Sequence, residues 1–334
     1  MVNRINHLFA TKRENILSIY FCAGHPTLDS TADTIRTLEQ KGVDMIEVGI
    51  PFSDPMADGP VIQDAATKAL RNGMTLKKLF SQLEELDRSP LLTSPKGEEN
   101  HPDSTSSLQS KEPCPDGTSS LQSKEPCPDG KSSPQSKEPC PDSTSSLQSK
   151  EPCPDGKSSP LGGTGGGLPL ILMGYLNPIM QFGFEKFCQR CVEVGIDGVI
   201  IPDLPFKDYL EEYKPVADRY DIRIIMLITP ETSDERIRFI DDHTDGFIYM
   251  VSSASTTGAQ QSFGDQKQAY FSRIQAMHLK HPCMIGFGIS NKQTLEAAQS
   301  HAAGAIIGSK FVKLYEETQD AGKAMDKLLE ALKN

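Results

Sequence analysis

No stretch of this chain approaches the 18 consecutive apolar residues that mark a membrane-spanning helix. The opening residues, MVNRINHLFATKREN, carry no apolar core of the export-signal kind, so a cytoplasmic protein is expected. Positive charge is also scarce. The 34 Lys and Arg are outnumbered by 45 Asp and Glu, giving a net charge of −11. That balance disfavours nucleic acid or an anionic membrane as a partner. The zinc-protease pattern HExxH, paired CxxC motifs, the phosphate-binding P-loop and the serine nucleophile elbow are all missing. The seven His are scattered, and the lone CxxC, Cys188 to Cys191, falls in a helical pattern, so no metal site is expected. A chain of 334 residues is not a small secreted disulfide scaffold, and its thiols are expected to be reduced.

Cys114, Cys127, Cys140 and Cys153 are four of the eight cysteines, and each sits in one copy of a 13-residue repeat. The copies begin at Asp103, Asp116, Asp129 and Asp142, and a fragment follows at 155–160. They contain no Val, Ile, Phe, Tyr or Trp, so they cannot bury enough apolar surface to offset the entropy of ordering. Prolines flank every one of these cysteines and break any regular helix. The usual close cysteine pairs of a zinc site are absent from them. Residues 93–167, ending in the Gly-rich tether Gly162 to Gly167, are therefore expected to form a disordered insertion.

Without that insertion about 259 residues remain, the size of an eight-fold β/α barrel. Eight short apolar runs support it: ILSIYFCAG, MIEVGI, LPLILMGY, GVIIPD, IRIIMLI, GFIYMV, CMIGFG and AGAIIG. Amphipathic stretches such as TADTIRTLEQKG, TLKKLFSQLEEL, FEKFCQRCVEVG, DYLEEYKPVADRY and DERIRFIDD fall between them. Strands apolar on both faces and alternating with helices argue for a closed parallel barrel. An open doubly wound sheet would place a better Gly-rich turn after the first strand than AGHPT. The expected architecture is thus one α/β domain, a (β/α)8 TIM barrel formed by 1–92 and 168–334, with the insertion between the second helix and the third strand. An αβ connection lies on the N-terminal face of a barrel, away from the active-site face.

Within MIEVGI, alternation puts Ile46, Val48 and Ile50 on the helix side and Met45, Glu47 and Gly49 inside. An interior carboxyl has a raised pKa, suited to general acid–base work near neutral pH. The alternative is a hydrogen-bonded core Glu, and the rarity of unpaired buried Glu favours function. The loop IPFSDPMADGPVIQDA follows. Asp58 could bind a substrate N–H and Asp54 could cap or meet a partner, although composition alone favours turn chemistry for both. Gly286-Phe287-Gly288-Ile289-Ser290 and Gly308-Ser309 follow the seventh and eighth strands, where barrels hold phosphate, and Thr257-Gly258 is a third candidate. No strand contains the Lys a Schiff base would need; Lys310 falls just inside the last helix.

The run from Glu47 to Pro60, EVGIPFSDPMADGP, closely resembles the signature of the tryptophan synthase alpha chain family. Ala23-Gly24-His25-Pro26, Leu172 to Pro178, Pro202-Asp203-Leu204-Pro205, Thr257-Gly258, Gly286 to Ser290 and Gly308-Ser309 resemble it in order and spacing. The resemblance spans about 1–92 and 168–334 and leaves the insertion out. It implies retro-aldol cleavage of indole-3-glycerol phosphate to indole and glyceraldehyde 3-phosphate. Glu47 would protonate indole C3 and take the glycerol hydroxyl proton; Asp58 would bind the indole N–H. Tyr20, Tyr175, Tyr249 and Phe287 match the indole pocket. Gly258, Gly288, Gly308 and Ser309 match the phosphate cradle, and Thr257 matches the residue that meets Asp58 on closure. The chain itself would carry no cofactor. Its partner would be a PLP-dependent beta chain in an α2β2 tetramer, met through loops bearing Asp54 and Asn177-Pro178. Ser253 and Ser255 replace an Arg and a Gly usual in the loop after strand six, and Ser lacks glycine's hinge freedom. A weakly catalytic subunit that mainly activates a beta chain is the rival reading. A sugar-phosphate isomerase is disfavoured by PFSDPMADGP.

Overall fold

The computed structural model describes residues 3–86, 88, 167–252, 264–286 and 288–333. Among them, eight strands pair in sequence order and close into a barrel: β1 Ile16–Cys22, β2 Met45–Gly49, β3 Leu170–Met173, β4 Gly198–Ile200, β5 Arg223–Ile228, β6 Ile248–Val251, β7 Cys283–Gly286 and β8 Gly304–Ile307. Every pairing is parallel, including β8 with β1. The architecture is the (β/α)8 TIM barrel that the apolar runs imply. Each strand is shorter than the apolar run that predicts it, and all but β5 and β6 stop before the end of that run. The trailing Gly, Pro and Tyr residues, such as Gly174-Tyr175 after β3 and Pro202 after β4, turn out of the sheet into the loops at its C-terminal end.

The helices are α1 Arg4–Thr11, α2 Thr31–Gln40, α3 Pro60–Arg71, α4 Leu76–Glu84, α5 Leu176–Phe182, α6 Phe184–Glu193, α7 Phe206–Asp208, α8 Lys214–Arg219, α9 Asp234–His243, α10 Asp265–Ala276, α11 Lys292–Gln299, α12 Ser309–Thr318 and α13 Ala321–Lys333. A π-helical turn, Tyr209–Tyr213, joins α7 to α8. Pro215 follows it and cannot donate an i→i−4 bond, which accounts for the widened turn. α5 stands where the sequence places a loop bearing Asn177-Pro178, and two further helices, at the barrel's ends, have no counterpart in the sequence reading. Residues 60–65 read as loop, yet Pro60 at the first helical position starts α3, which buries Ile62, Ala65, Ala66 and Ala69. The other, α1, lies across the N-terminal mouth of the barrel. Its Ile5 packs where β-carbons on Gly198 and Gly246 would stand. Asn3 Nδ2 donates to the Asp197 and Asp221 carbonyls at 3.0 and 2.8 Å, and Arg4 pairs with Asp197 at 2.7 Å.

Arg88 marks where the chain leaves the barrel after α4. Its guanidinium donates to the Leu168 carbonyl at 2.9 Å and pairs with Glu39. The described chain on either side of the insertion, Arg88 and Leu168, is therefore tied together. Residues 93–166 of the insertion, including its four cysteines, lie outside the described residues. The remaining cysteines, Cys22, Cys188, Cys191 and Cys283, are free thiols, and both members of the CxxC are buried on α6. Among the described residues no group of three His, Cys, Asp or Glu stands together. No described helix is long and apolar enough to cross a membrane.

Candidate active site

The C-terminal end of the barrel holds the chemistry. On β1 and β2, Tyr20 stands in register with Glu47, and the tyrosine ring leans over the next inward position, Gly49. A β-carbon at Gly49 would fall 2.1 Å from Tyr20 Oη, so only glycine admits the ring. Across the barrel the motif repeats: Tyr249 on β6 leans over Gly286 on β7, where a β-carbon would fall 2.2 Å from its Oη. Two tyrosines thus replace aliphatic filler in the upper barrel. Burial and the neighbouring carboxyls raise both phenols well above their ordinary range, so both stay protonated.

Glu47 is completely buried beside them. Its Oε1 accepts a hydrogen bond from Ser18 Oγ at 3.2 Å, and its Oε2 has no hydrogen-bond partner. Burial pushes the Glu47 pKa up from 4.5 to about 8, with the Ser18 bond pulling weakly the other way. A group of this kind is protonated at neutral pH and can give and retake a proton.

Asp58 sits in the loop after β2, immediately before Gly59 and the start of α3. It is 7% exposed. Its Oδ2 accepts from Tyr175 Oη at 2.8 Å, and that hydroxyl in turn accepts from the Ala57 N–H at 3.0 Å. Phe52 stacks on Tyr175 with ring centroids 5.2 Å apart. Burial raises the Asp58 pKa, and the Tyr175 bond, which favours the charged form, opposes that rise.

A cleft of about 470 Å³ opens between these groups and the ends of β7 and β8. Tyr20, Asp58, Ile62, Met173 and Tyr249 line one part of it. Gly288, Ile289, Ile306, Gly308, Ser309 and Lys310 line the other. The second part includes the N-terminus of α12, whose free N–H groups and dipole attract an anion. α3 and α12 both start at the cleft and are braced farther along. Lys68 on α3 pairs with Glu316 on α12 at 3.0 Å, and the buried His25 of the loop after β1 also bonds to Glu316.

Of the residues the sequence singles out, Tyr20, Asp58, Tyr249, Gly288, Gly308 and Ser309 converge on this cleft. Tyr175 is held to it through Asp58. Glu47 lies behind Tyr20 and Tyr249 and does not line the open cleft. Thr257, Gly258 and Phe287 lie outside the described residues. The sequence reading missed Ser18 and Ile62, and named His25 and Lys310 without giving either a role at the site. Ser18 had a legible signal, a polar residue two positions before Tyr20 on the same face of a strand. Ile62 was hidden because α3 read as loop.

Comparison with known proteins agrees with this geometry. A family model described as the tryptophan synthase alpha chain matches residues 7–94 and 163–334, omitting most of the insertion. Among curated proteins, the tryptophan synthase alpha chain of Phocaeicola vulgatus is 55% identical over 334 residues, covering 100% of both chains. That of Bacteroides thetaiotaomicron is 52% identical over 332 residues, covering 99% of this chain and 100% of the relative. Among solved structures, tryptophan synthase subunit alpha of Legionella pneumophila superposes with a TM-score of 0.68 at 27% identity, covering 99% of this chain and 97% of that one. A chain of the tryptophan synthase complex of Pyrococcus furiosus gives 0.66 at 25% identity, covering 96% and 98%.

Proposed function

The chain belongs to the tryptophan synthase alpha chain family and cleaves indole-3-glycerol phosphate to indole and glyceraldehyde 3-phosphate, and we propose that Glu47 carries the proton while Asp58 supplies the counter-charge. As a carboxylic acid, Glu47 gives its proton to indole C3, which makes the ring an iminium cation. Asp58, as a carboxylate, accepts a hydrogen bond from the indole N–H and stabilises that cation. The Glu47 carboxylate then takes the proton of the glycerol hydroxyl next to the ring. The carbon–carbon bond breaks, its electron pair returns to the ring, and the hydroxyl carbon leaves as the aldehyde. Glu47 ends protonated, as it began. The route draws on no metal or organic cofactor.

The observation that carries this reading is Glu47 itself, a wholly buried carboxyl with one unpartnered oxygen and a pKa raised to about 8. A residue kept at that energetic cost is held for chemistry. Productive binding requires Tyr20 to turn about its side-chain torsions, because the open cleft ends in front of the Glu47 carboxyl; unliganded sites are commonly this loose. Tyr20, Tyr175 and Tyr249 flank the indole. The N-terminus of α12 with Gly288, Gly308 and Ser309 receives the phosphate, completed by Gly258, and Phe287 and Thr257 take the indole-lining and closing roles that the family resemblance implies.

A PLP-dependent beta chain is the partner, in an α2β2 assembly, and the C-terminal face is the docking face. Asp54, Asn177 and Pro178 lie there, and so do Met56 and Met180, which are 86% and 56% exposed. Two such methionines beside a polar rim fit a protein interface. The barrel of 1–92 and 168–334 is the catalytic unit, working in the cytoplasm. The insertion 93–167 leaves from the opposite face and takes no part. In the test, indole release from the substrate is measured with and without a beta chain. Glu47→Gln should reduce it at least 10³-fold in both cases, consistent with loss of a general acid–base group. Unchanged release would sink the assignment.

A further inference from the structure

We propose that Ser18 is the positioning residue for the acid–base carboxyl: its hydroxyl fixes Oε1 of Glu47, which leaves Oε2 as the oxygen that gives and takes the proton. This rests on Glu47 being the proton carrier. Ser18 is completely buried, on a strand whose neighbours Ile16, Ile19 and Phe21 are apolar and equally buried. A hydroxyl in such surroundings is costly unless it is bonded. The bond described for its Oγ is the 3.2 Å contact to Glu47 Oε1. The leaning geometry of the barrel explains the pairing. Tyr20 on β1 reaches over Gly49, two positions beyond the residue in register with it, and Ser18 reaches in the same way over Met45 to Glu47.

A hydroxyl has one hydrogen. Donated to Oε1, it favours a carboxyl whose own proton resides on the other oxygen. Oε2 is buried and without a hydrogen-bond partner, so no competing bond must break before the proton moves. The other titratable groups around the carboxyl are Tyr20 on β1 and Tyr249 on β6, with Asp58 in the cleft and Cys22 and Tyr175 beyond Tyr20. None of them hydrogen-bonds to Oε2. Ser18 therefore orients the carboxyl, and it is also the hydrogen-bond donor that opposes the upward push of burial on its pKa.

The experiment is the pH dependence of indole release by the full chain, comparing wild type, Ser18→Ala, Ser18→Thr and Glu47→Gln. Losing one hydrogen bond to the charged form should move the alkaline limb of Ser18→Ala up by about 0.5–1 pH unit. Its kcat at neutral pH should fall about 10-fold with KM within twofold, and Ser18→Thr, which keeps the hydroxyl, should restore the limb. Ser18→Cys, close in volume but a weak donor, should shift the limb upward too and serves if the alanine variant does not fold. An unmoved limb and wild-type kcat in the alanine or cysteine variant, with Glu47→Gln inactive, would overturn the role of Ser18 alone. Full activity in Glu47→Gln would overturn both this inference and the mechanism on which it rests.

Discussion

Replacing Glu47 with Gln should make the protein more stable at alkaline pH even as it abolishes activity. The folded-state pKa of Glu47 is about 8 against an ordinary 4.5. Folding therefore favours the protonated carboxyl. The stability this contributes is complete below about pH 4.5, and it drains away as pH rises through 8. Integrating the proton linkage between pH 5 and pH 9 gives a loss of about 4 kcal/mol from this one side chain. Gln has the same shape and does not titrate, so its variant lacks this loss. The amide brings two donors into a place with one known partner, at a constant cost of about 1–3 kcal/mol. The diagnostic is thus the slope and not the offset. Urea unfolding of both proteins at pH 5, 6, 7, 8 and 9 should show the difference in stability moving in favour of the variant by about 4 kcal/mol across the range. A difference that stays flat would mean that the carboxyl ionises freely, and the reasoning from burial would fail.

Tyr175→Phe removes the hydrogen bond that favours charged Asp58. The Asp58 pKa should rise, so the acid limb of the pH–rate profile moves upward and activity near pH 6 falls more than activity near pH 7.5; an unmoved acid limb would show that Asp58 need not be ionised. Deleting 96–165 shortens the connection between Arg88 and Gly167 from 78 residues to eight. For unstructured chain, which its composition predicts, the shorter closure favours folding by about 2 kcal/mol. Melting temperature should hold or rise by a few degrees and kcat should stay within twofold, whereas loss of beta-chain binding would give the insertion a role.

Most of the barrel was legible because its strands are apolar on both faces and its helices amphipathic, a pattern that few other folds produce. Glu47 was legible for the same reason: period-two alternation in MIEVG leaves one charged residue on the inward face. The position of Asp58 was legible, but its role was not, since Asp before Gly is ordinary turn chemistry. What separates it from a turn residue is burial and the Tyr175 bond, a contact across 117 positions of sequence that no local pattern encodes. α3 was lost because Pro60 and the preceding Asp-Gly read as loop, though Pro at the first helical position is equally a start signal. The lean of Tyr20 and Tyr249 over Gly49 and Gly286 follows from barrel stagger. It explains why Gly49, which sequence reading leaves without a purpose, and Gly286, which it reads as part of a phosphate turn, cannot carry a side chain.

The central claim is that a neutral, buried Glu47 starts the reaction as an acid. The most direct measurement is kcat for indole release against pH for the wild-type chain, from pH 5 to 10, beside Glu47→Gln. The account predicts a wild-type rate that falls above about pH 8 as Glu47 ionises, and a variant with no measurable rate anywhere in the range. A wild-type rate that is flat to pH 10, or a variant that still cleaves the substrate, would contradict it.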